Sequence, residues 1–149
     1  MIEIDYSRCM MGGFAMFTPT NNATLVLYNN STGAQKLLVW FAHTQLENIN
    51  TCGYGVVQGN PGGTPQPVAP LWTRAAPVAG VVSKLDTATN FQLYLYFRLG
   101  IATYAVLNPT LPWAILEPGW SFIIQDQKAG DIFGANVIWQ ASAMEPDKK

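Results

Sequence analysis

Leu111–Ala143, LPWAILEPGWSFIIQDQKAGDIFGANVIWQASA, is the stretch whose reading decides the fold. Two apolar runs, Trp113–Leu116 and Trp120–Gln125, flank the corner Glu117-Pro118-Gly119. A third run, Asn136–Ala143, follows a glycine-punctuated loop and alternates apolar with polar residues near its end. Proline presets φ for the first corner position of a type II turn, and glycine accepts the positive φ required at the second. Strand, corner, strand, loop, strand is the pattern of an antiparallel sheet protein.

The same grammar extends backwards from that stretch. Phe91–Leu99, FQLYLYFRL, alternates strictly and predicts the longest strand: Phe91, Leu93, Leu95, Phe97 and Leu99 on a core face, Gln92, Tyr94, Tyr96 and Arg98 on a semi-polar one. Gly100 breaks it, and Ala102–Leu107 predicts a further strand. Thr24–Tyr28 and Lys36–Thr44 read as the two arms of a hairpin turning through Asn29-Asn30-Ser31-Thr32-Gly33, with the second arm apolar on both faces and therefore central. Phe14–Thr18 and Tyr54–Gln58 are short strands, Gly53 and Gly55 marking a bulge or a close backbone approach. Gly59–Pro70, GNPGGTPQPVAP, is expected to hold neither ladder nor helix, and to be an exposed loop reaching a partner. Residues 71–85 hold one strand late in the segment. No stretch carries a convincing helical period, and βαβ units are absent. The expectation is an all-β, antiparallel β-sandwich, jelly-roll-like, of about nine or ten short strands with no substantial helix. Its expected layout is an N-terminal arm over 1–12, a single sandwich domain over 13–143 and a flexible charged tail over 144–149.

A length of 149 residues makes about one domain, large enough for a core without staples. Charged residues are only 11%, against about 25% in an average soluble domain, while hydrophobic residues reach 49%. A lone chain so poor in charge would expose much uncharged surface, so the composition predicts that copies of the chain, or a partner, cover part of it. The net charge of −1 and the dispersed Lys and Arg residues predict no nucleic-acid footprint. No apolar run approaches the roughly 18 residues of a membrane span. Acidic residues at the start predict no export signal, and Cys9 and Cys52 are expected to be free thiols in a reducing cytosol. The N-x-S/T sequons at Asn22, Asn29 and Asn30 are then chance products of Asn-rich turns.

Residues that could carry chemistry are few. His43, the single histidine, has neither a nucleophile elbow nor a Gly-rich oxyanion segment beside it and reads as a hydrogen-bonded strand residue. His43, Cys9 and Cys52 lack zinc-ligand spacing. Asp126 and Asp131 bracket QDQKAGD, which lacks the oxygen-ligand spacing of a calcium loop and reads as an ordinary polar turn. No catalytic residue, cofactor or metal is expected, and the chain is read as a non-enzyme. Trp40 and Trp139 sit in strong strand patterns and are expected in the core. Trp72, Trp113 and Trp120, with Tyr94 and Tyr96, are the expected interface residues.

The segments LPWAILEPGWSFIIQ and ANVIWQA, with the hairpin TLVLYNNSTGAQKLLVWFA, resemble the small virion structural proteins of tailed bacteriophages. That resemblance covers about half the chain through patterns rather than signatures. It implies a jelly-roll decoration (cement) protein, commonly trimeric, that self-associates on the capsid and bridges capsomers, with the major capsid protein or another virion protein as partner. It implies assembly into the virion after synthesis in the host cytoplasm; a tail or neck component is a variant of the same reading. The reading from another class is a carbohydrate-binding sandwich module with Trp72, Trp113 or Trp120 as a stacking platform.

Overall fold

A computed structural model describes residues 4–46, 50–99, 103–104 and 111–143, with backbone alone for 50–51, 95–99, 103–104 and 143. Apart from one 3-10 turn, Tyr6–Arg8, every regular element among them is a strand. The strands are β1 (Cys9–Phe17), β2 (Asn22–Tyr28), β3 (Gln35–Leu46), β4 (Asn50–Gln58), β5 (Thr64–Pro65), β6 (Val68–Pro70), β7 (Val81–Thr87), β8 (Leu95–Leu99), β9 (Thr103–Tyr104), β10 (Ala114–Leu116), β11 (Trp120–Asp126) and β12 (Phe133–Ala143). Ten remain when the two-residue ladders β5 and β9 are set aside.

Two antiparallel sheets face each other. Sheet I runs β10-β3-β12-β1-β6, with β9 also on β3; sheet II runs β5-β7-β2-β11-β4-β8. The pairing proceeds from the chain ends inward: β1 with β12, β2 with β11, β3 with β10, β4 with β8. Successive pairs alternate between the sheets. This folded-ribbon connectivity is the jelly roll, and β5–β7 are an insertion at its middle.

The connectivity corrects the expected hairpin. β2 and β3 are not partners; the Asn-rich turn carries the chain from sheet II to sheet I, and the Pro-Gly corner carries it back between β10 and β11. One buried side chain, Asn29, ties these crossings together. Its Nδ2 donates to the carbonyls of Gln35 (2.8 Å) and Leu116 (2.9 Å), and its Oδ1 accepts from Ser31 N–H (3.0 Å). Its backbone N–H donates to Trp120 O, and its carbonyl accepts from Gly119 N–H, both at 2.9 Å. Gly119 stands at φ +86°, and Trp120 N–H closes the turn on Glu117 O at 3.1 Å, the predicted type II corner.

Strand alternation fills the space between the sheets. Leu25 and Leu27 of β2, Phe122 and Ile124 of β11, Val137 and Trp139 of β12 and Leu37 and Val39 of β3 are all buried there. The expectation that Trp40 and Trp139 are buried holds: they are 1% and 0% exposed. Trp139 Nε1 donates to Ala79 O (2.9 Å), so its polar end is satisfied as well.

Three further expectations change. The boundary placed after residue 12 falls inside β1, which lies between β12 and β6. Residues 4–8 pack on their own sheet: Asp5 N–H donates to Gln140 Oε1, and Arg8 Nε donates to Ala141 O. The 59–70 stretch does form ladders, β5 on β7 and β6 on β1. Proline is compatible with an edge strand, where alternate N–H groups face outwards, so the Pro-rich segment closes one side of the sandwich and blocks both edges against further pairing. Finally, only Leu95–Leu99 of the long alternating run is a strand. Residues 102 and 105–107 of the predicted 102–107 strand and the tail from 144 lie outside the described residues, as do Met1–Glu3.

Candidate functional site

The chain covers the outer face of sheet II itself. Segment 88–94, between β7 and β8, crosses that face as a strap, with Leu93 and Phe91 packed on Val26 and Ile123. Gln125, wholly buried on β11, holds it: Oε1 accepts from Phe91 N–H (2.9 Å), while Nε2 donates to Thr89 O (2.8 Å) and Thr24 Oγ1 (2.9 Å). Gly55 is where the strap touches β4, since a Cβ there would sit 2.5 Å from Gln92 O. The expected close backbone approach is therefore real at Gly55, and its cause is the strap.

The expected interface residues do not form one surface. Tyr94 (71% exposed), Trp72 (47%) and Trp120 (38%) present their rings to solvent. Trp113 is half-buried and packs edge-on against Tyr54, ring centroids 5.2 Å apart. Tyr96 lies in β8, and its side chain is outside the described residues. Tyr94 and Trp113 do come together, lining with Tyr54, Val56, Ala114 and Phe122 an apolar cleft of about 240 Å³ on the side of the sandwich opposite the Pro-rich segment. Trp120 stands at the Pro-Gly corner opposite Gln58, and Trp72 follows β6 near Cys9, whose carbonyl accepts from Leu71 N–H.

Sequence reasoning missed a second surface, the outer face of sheet I. Met11, Ile138 and Phe41 lie side by side on β1, β12 and β3, and Ala69 of β6 continues the row. Their neighbours Met10, Val137, Trp139 and Ala42 point into the core, so this row points out; Met11 is 43% exposed, while Ile138 and Phe41 are half-buried. The next row is Gly13, Asn136 and His43, with Asn136 Nδ2 3.5 Å from His43 Nδ1. The available signal was that Lys36–Thr44 is apolar on both faces. Its outward residues became visible as a surface only once register set them beside residues about 30 and 100 positions away.

The two thiols and one acid pair are turned inwards. Cys9 and Cys52 are free, buried thiols, one in each sheet; burial pushes Cys9 up to about 11 and Cys52 well above the ordinary thiol range. Neither is a nucleophile at neutral pH. Asp126 and Asp131 are 0% and 3% exposed, with Cys52 paired opposite Asp126 on β4. Asp126 Oδ1 accepts from Lys128 N–H (3.0 Å). Burial raises the Asp126 carboxyl to about 8, and its hydrogen bond with the Asp131 carboxyl adds to the shift. The expected ordinary polar turn thus has a buried acid pair at its base. Shut away from solvent, that pair meets no dissolved substrate. Among the described residues no three His, Cys, Asp or Glu side chains gather as metal ligands would. One exposed ion pair, Lys36–Glu117 at 3.8 Å, flanks the corner.

Protein-family models, curated proteins and solved structures yield no match to this chain.

Proposed function

We propose that this chain is a non-enzymatic structural protein of a tailed-phage virion, a head decoration protein that self-associates and bridges capsomers. The observation that carries this reading is the distribution of chemistry over the jelly roll. The two thiols and the Asp126–Asp131 pair are buried, while an uncharged apolar sheet face and the rings of Tyr94, Trp72 and Trp120 are turned outwards. Jelly rolls recur in viral capsid proteins, which is support by analogy of fold. In this role the mechanism is mechanical. Each subunit contributes a modest apolar contact, and repetition around a particle makes the sum large. The blocked β5 and β6 edges favour discrete association through faces over open-ended strand pairing.

Immunogold labelling of intact particles of the encoding phage tests this directly. Label over the head surface supports the decoration role; label confined to the tail or neck moves the protein along the virion; particles without the chain refute the reading. A second reading, a carbohydrate-binding module, rests on the exposure of Trp72 and Trp120. Glycan-array binding abolished by Trp120→Ala would favour it.

A further inference from the structure

Two features of complementary chemistry stand on opposite sides of the sandwich. On the β4 and β10 side, the cleft of about 240 Å³ has aromatic walls. Tyr54 and Phe122, both buried, stack with ring centroids 5.7 Å apart, and Trp113 packs edge-on against Tyr54. Tyr94, whose N–H donates to Tyr54 O (2.8 Å), is its most exposed residue. On the other side, residues 64–70, TPQPVAP, run from the β7 edge of sheet II to the β1 edge of sheet I. Pro65, Pro67, Val68 and Ala69 of that segment are exposed.

We infer that the Pro-rich segment of one copy of the chain docks into the aromatic cleft of the next copy, head to tail. The inference rests on the self-association proposed above and adds to it the two surfaces that meet. The cleft walls select the occupant. Extended proline-rich segments dock into aromatic-lined grooves, and a segment whose φ angles are already fixed loses little entropy on docking. Ladders at both ends hold this segment further. Backbone accounting agrees. No charged residue lines the cleft, so an occupant that brings unpaired N–H groups would strand them there. Pro65, Pro67 and Pro70 have no N–H. The N–H groups of Gln66 and Leu71 are already bonded within their own copy, to Val82 O (2.7 Å) and Cys9 O (2.9 Å). Size agrees as well. A cavity of about 150 Å³ holds one benzene-sized ring, and sites for drug-sized ligands begin at about 300 Å³. The cleft falls between the two, room for the rings of Pro65 and Pro67. Because the surfaces differ, the contact is heterologous: a series of copies closes as a ring or runs on as a filament. The trimer implied by the phage resemblance would be one such ring.

Sedimentation velocity of the full chain from about 1 μM to about 1 mM, compared with Tyr94→Lys at the cleft, Pro65→Lys and Pro67→Lys on the segment and Met11→Lys as a control, tests this. Circular dichroism verifies that each variant is folded; all four positions are exposed. The expected result is association weakened at least tenfold by Tyr94→Lys and by each proline substitution, and unchanged by Met11→Lys. An equimolar mixture of Tyr94→Lys and Pro67→Lys should then form a dimer, because one copy retains an intact segment and the other an intact cleft. A wild-type chain that associates while the cleft or the segment variants associate equally well overturns the assigned surfaces and leaves self-association standing. Variants that are each weakened but stay monomeric when mixed show that the two surfaces do not meet one another, and overturn the inference. A wild-type chain that is monomeric throughout leaves the cleft to a partner other than this chain and overturns both the inference and the self-association.

Discussion

Asn29→Ala tests whether one side chain holds the two inter-sheet crossings together. The substitution removes both Nδ2 donors and the Oδ1 acceptor, leaving the carbonyls of Gln35 and Leu116 and the N–H of Ser31 without their partner. Leu116 is 1% exposed, so its carbonyl bears close to the full cost of a buried unsatisfied group, about 1–3 kcal/mol. Gln35 and Ser31 are half-buried and regain part of their hydrogen bonding from water, at about 0.5–1 kcal/mol each. The total is a loss of about 2–5 kcal/mol. For a chain of this size that lowers Tm by about 4–20 °C. Asn29→Asp keeps the acceptor for Ser31 but sets a carboxylate against two carbonyl oxygens, and is expected to be at least as damaging. Asn30→Ala is the control: Asn30 is exposed, its Oδ1 accepts only from Gly80 N–H (2.9 Å), and its loss costs under about 1 kcal/mol. Urea unfolding at neutral pH, followed by tryptophan fluorescence and far-ultraviolet circular dichroism, supplies the free energies. An Asn29→Ala protein as stable as Asn30→Ala would refute the claim that the crossings depend on this residue.

Two further substitutions probe the interior and the strap. The folded-state Asp126 carboxyl is raised to about 8, above its unfolded value, so the native protein keeps a proton that the unfolded chain has released. Its contribution is therefore complete below about pH 4 and declines as pH rises towards about 8, by at most about 1.4 kcal/mol per pH unit. Asp126→Asn, neutral at every pH, is expected to gain on wild type across that window; parallel stability profiles would contradict the buried acid pair. Gly55→Ala places a methyl 2.5 Å from Gln92 O and must lift the strap, at about 1–3 kcal/mol. Hydrogen exchange at Phe91 N–H, bonded to Gln125, should accelerate more than exchange in β12, and equal effects would argue against a local cause.

Local chemistry made the β class and the Pro-Gly corner legible. It carried less about which strands are partners. The seven-residue span from Asn29 to Gln35 suits a hairpin within one sheet as well as a crossing between two, and a long-range hydrogen bond to Leu116 O decides between them. Phe91–Tyr94 shows why alternation alone misleads. Phe91 and Leu93 pack on sheet II while Gln92 and Tyr94 are exposed, as alternation demands, but the segment lies upon a sheet rather than within one. By the chemistry of a central strand the Pro-Gly stretch cannot pair; it pairs because β5 and β6 both stand at sheet edges. Among the expected interface residues, Trp72 and Trp120 stood beside turns and are exposed, whereas Trp113 has Tyr54 as a neighbour from a distant strand. The Met11–Ile138–Phe41 row depends on register between three strands and could not be seen from any one of them.

The central claim, that this chain assembles with itself through uncharged surface, is tested most directly by multi-angle light scattering of the unmodified protein across a concentration series. The expected mass rises with concentration above that of one chain, 16.3 kDa. A mass fixed at 16.3 kDa at every concentration would contradict it.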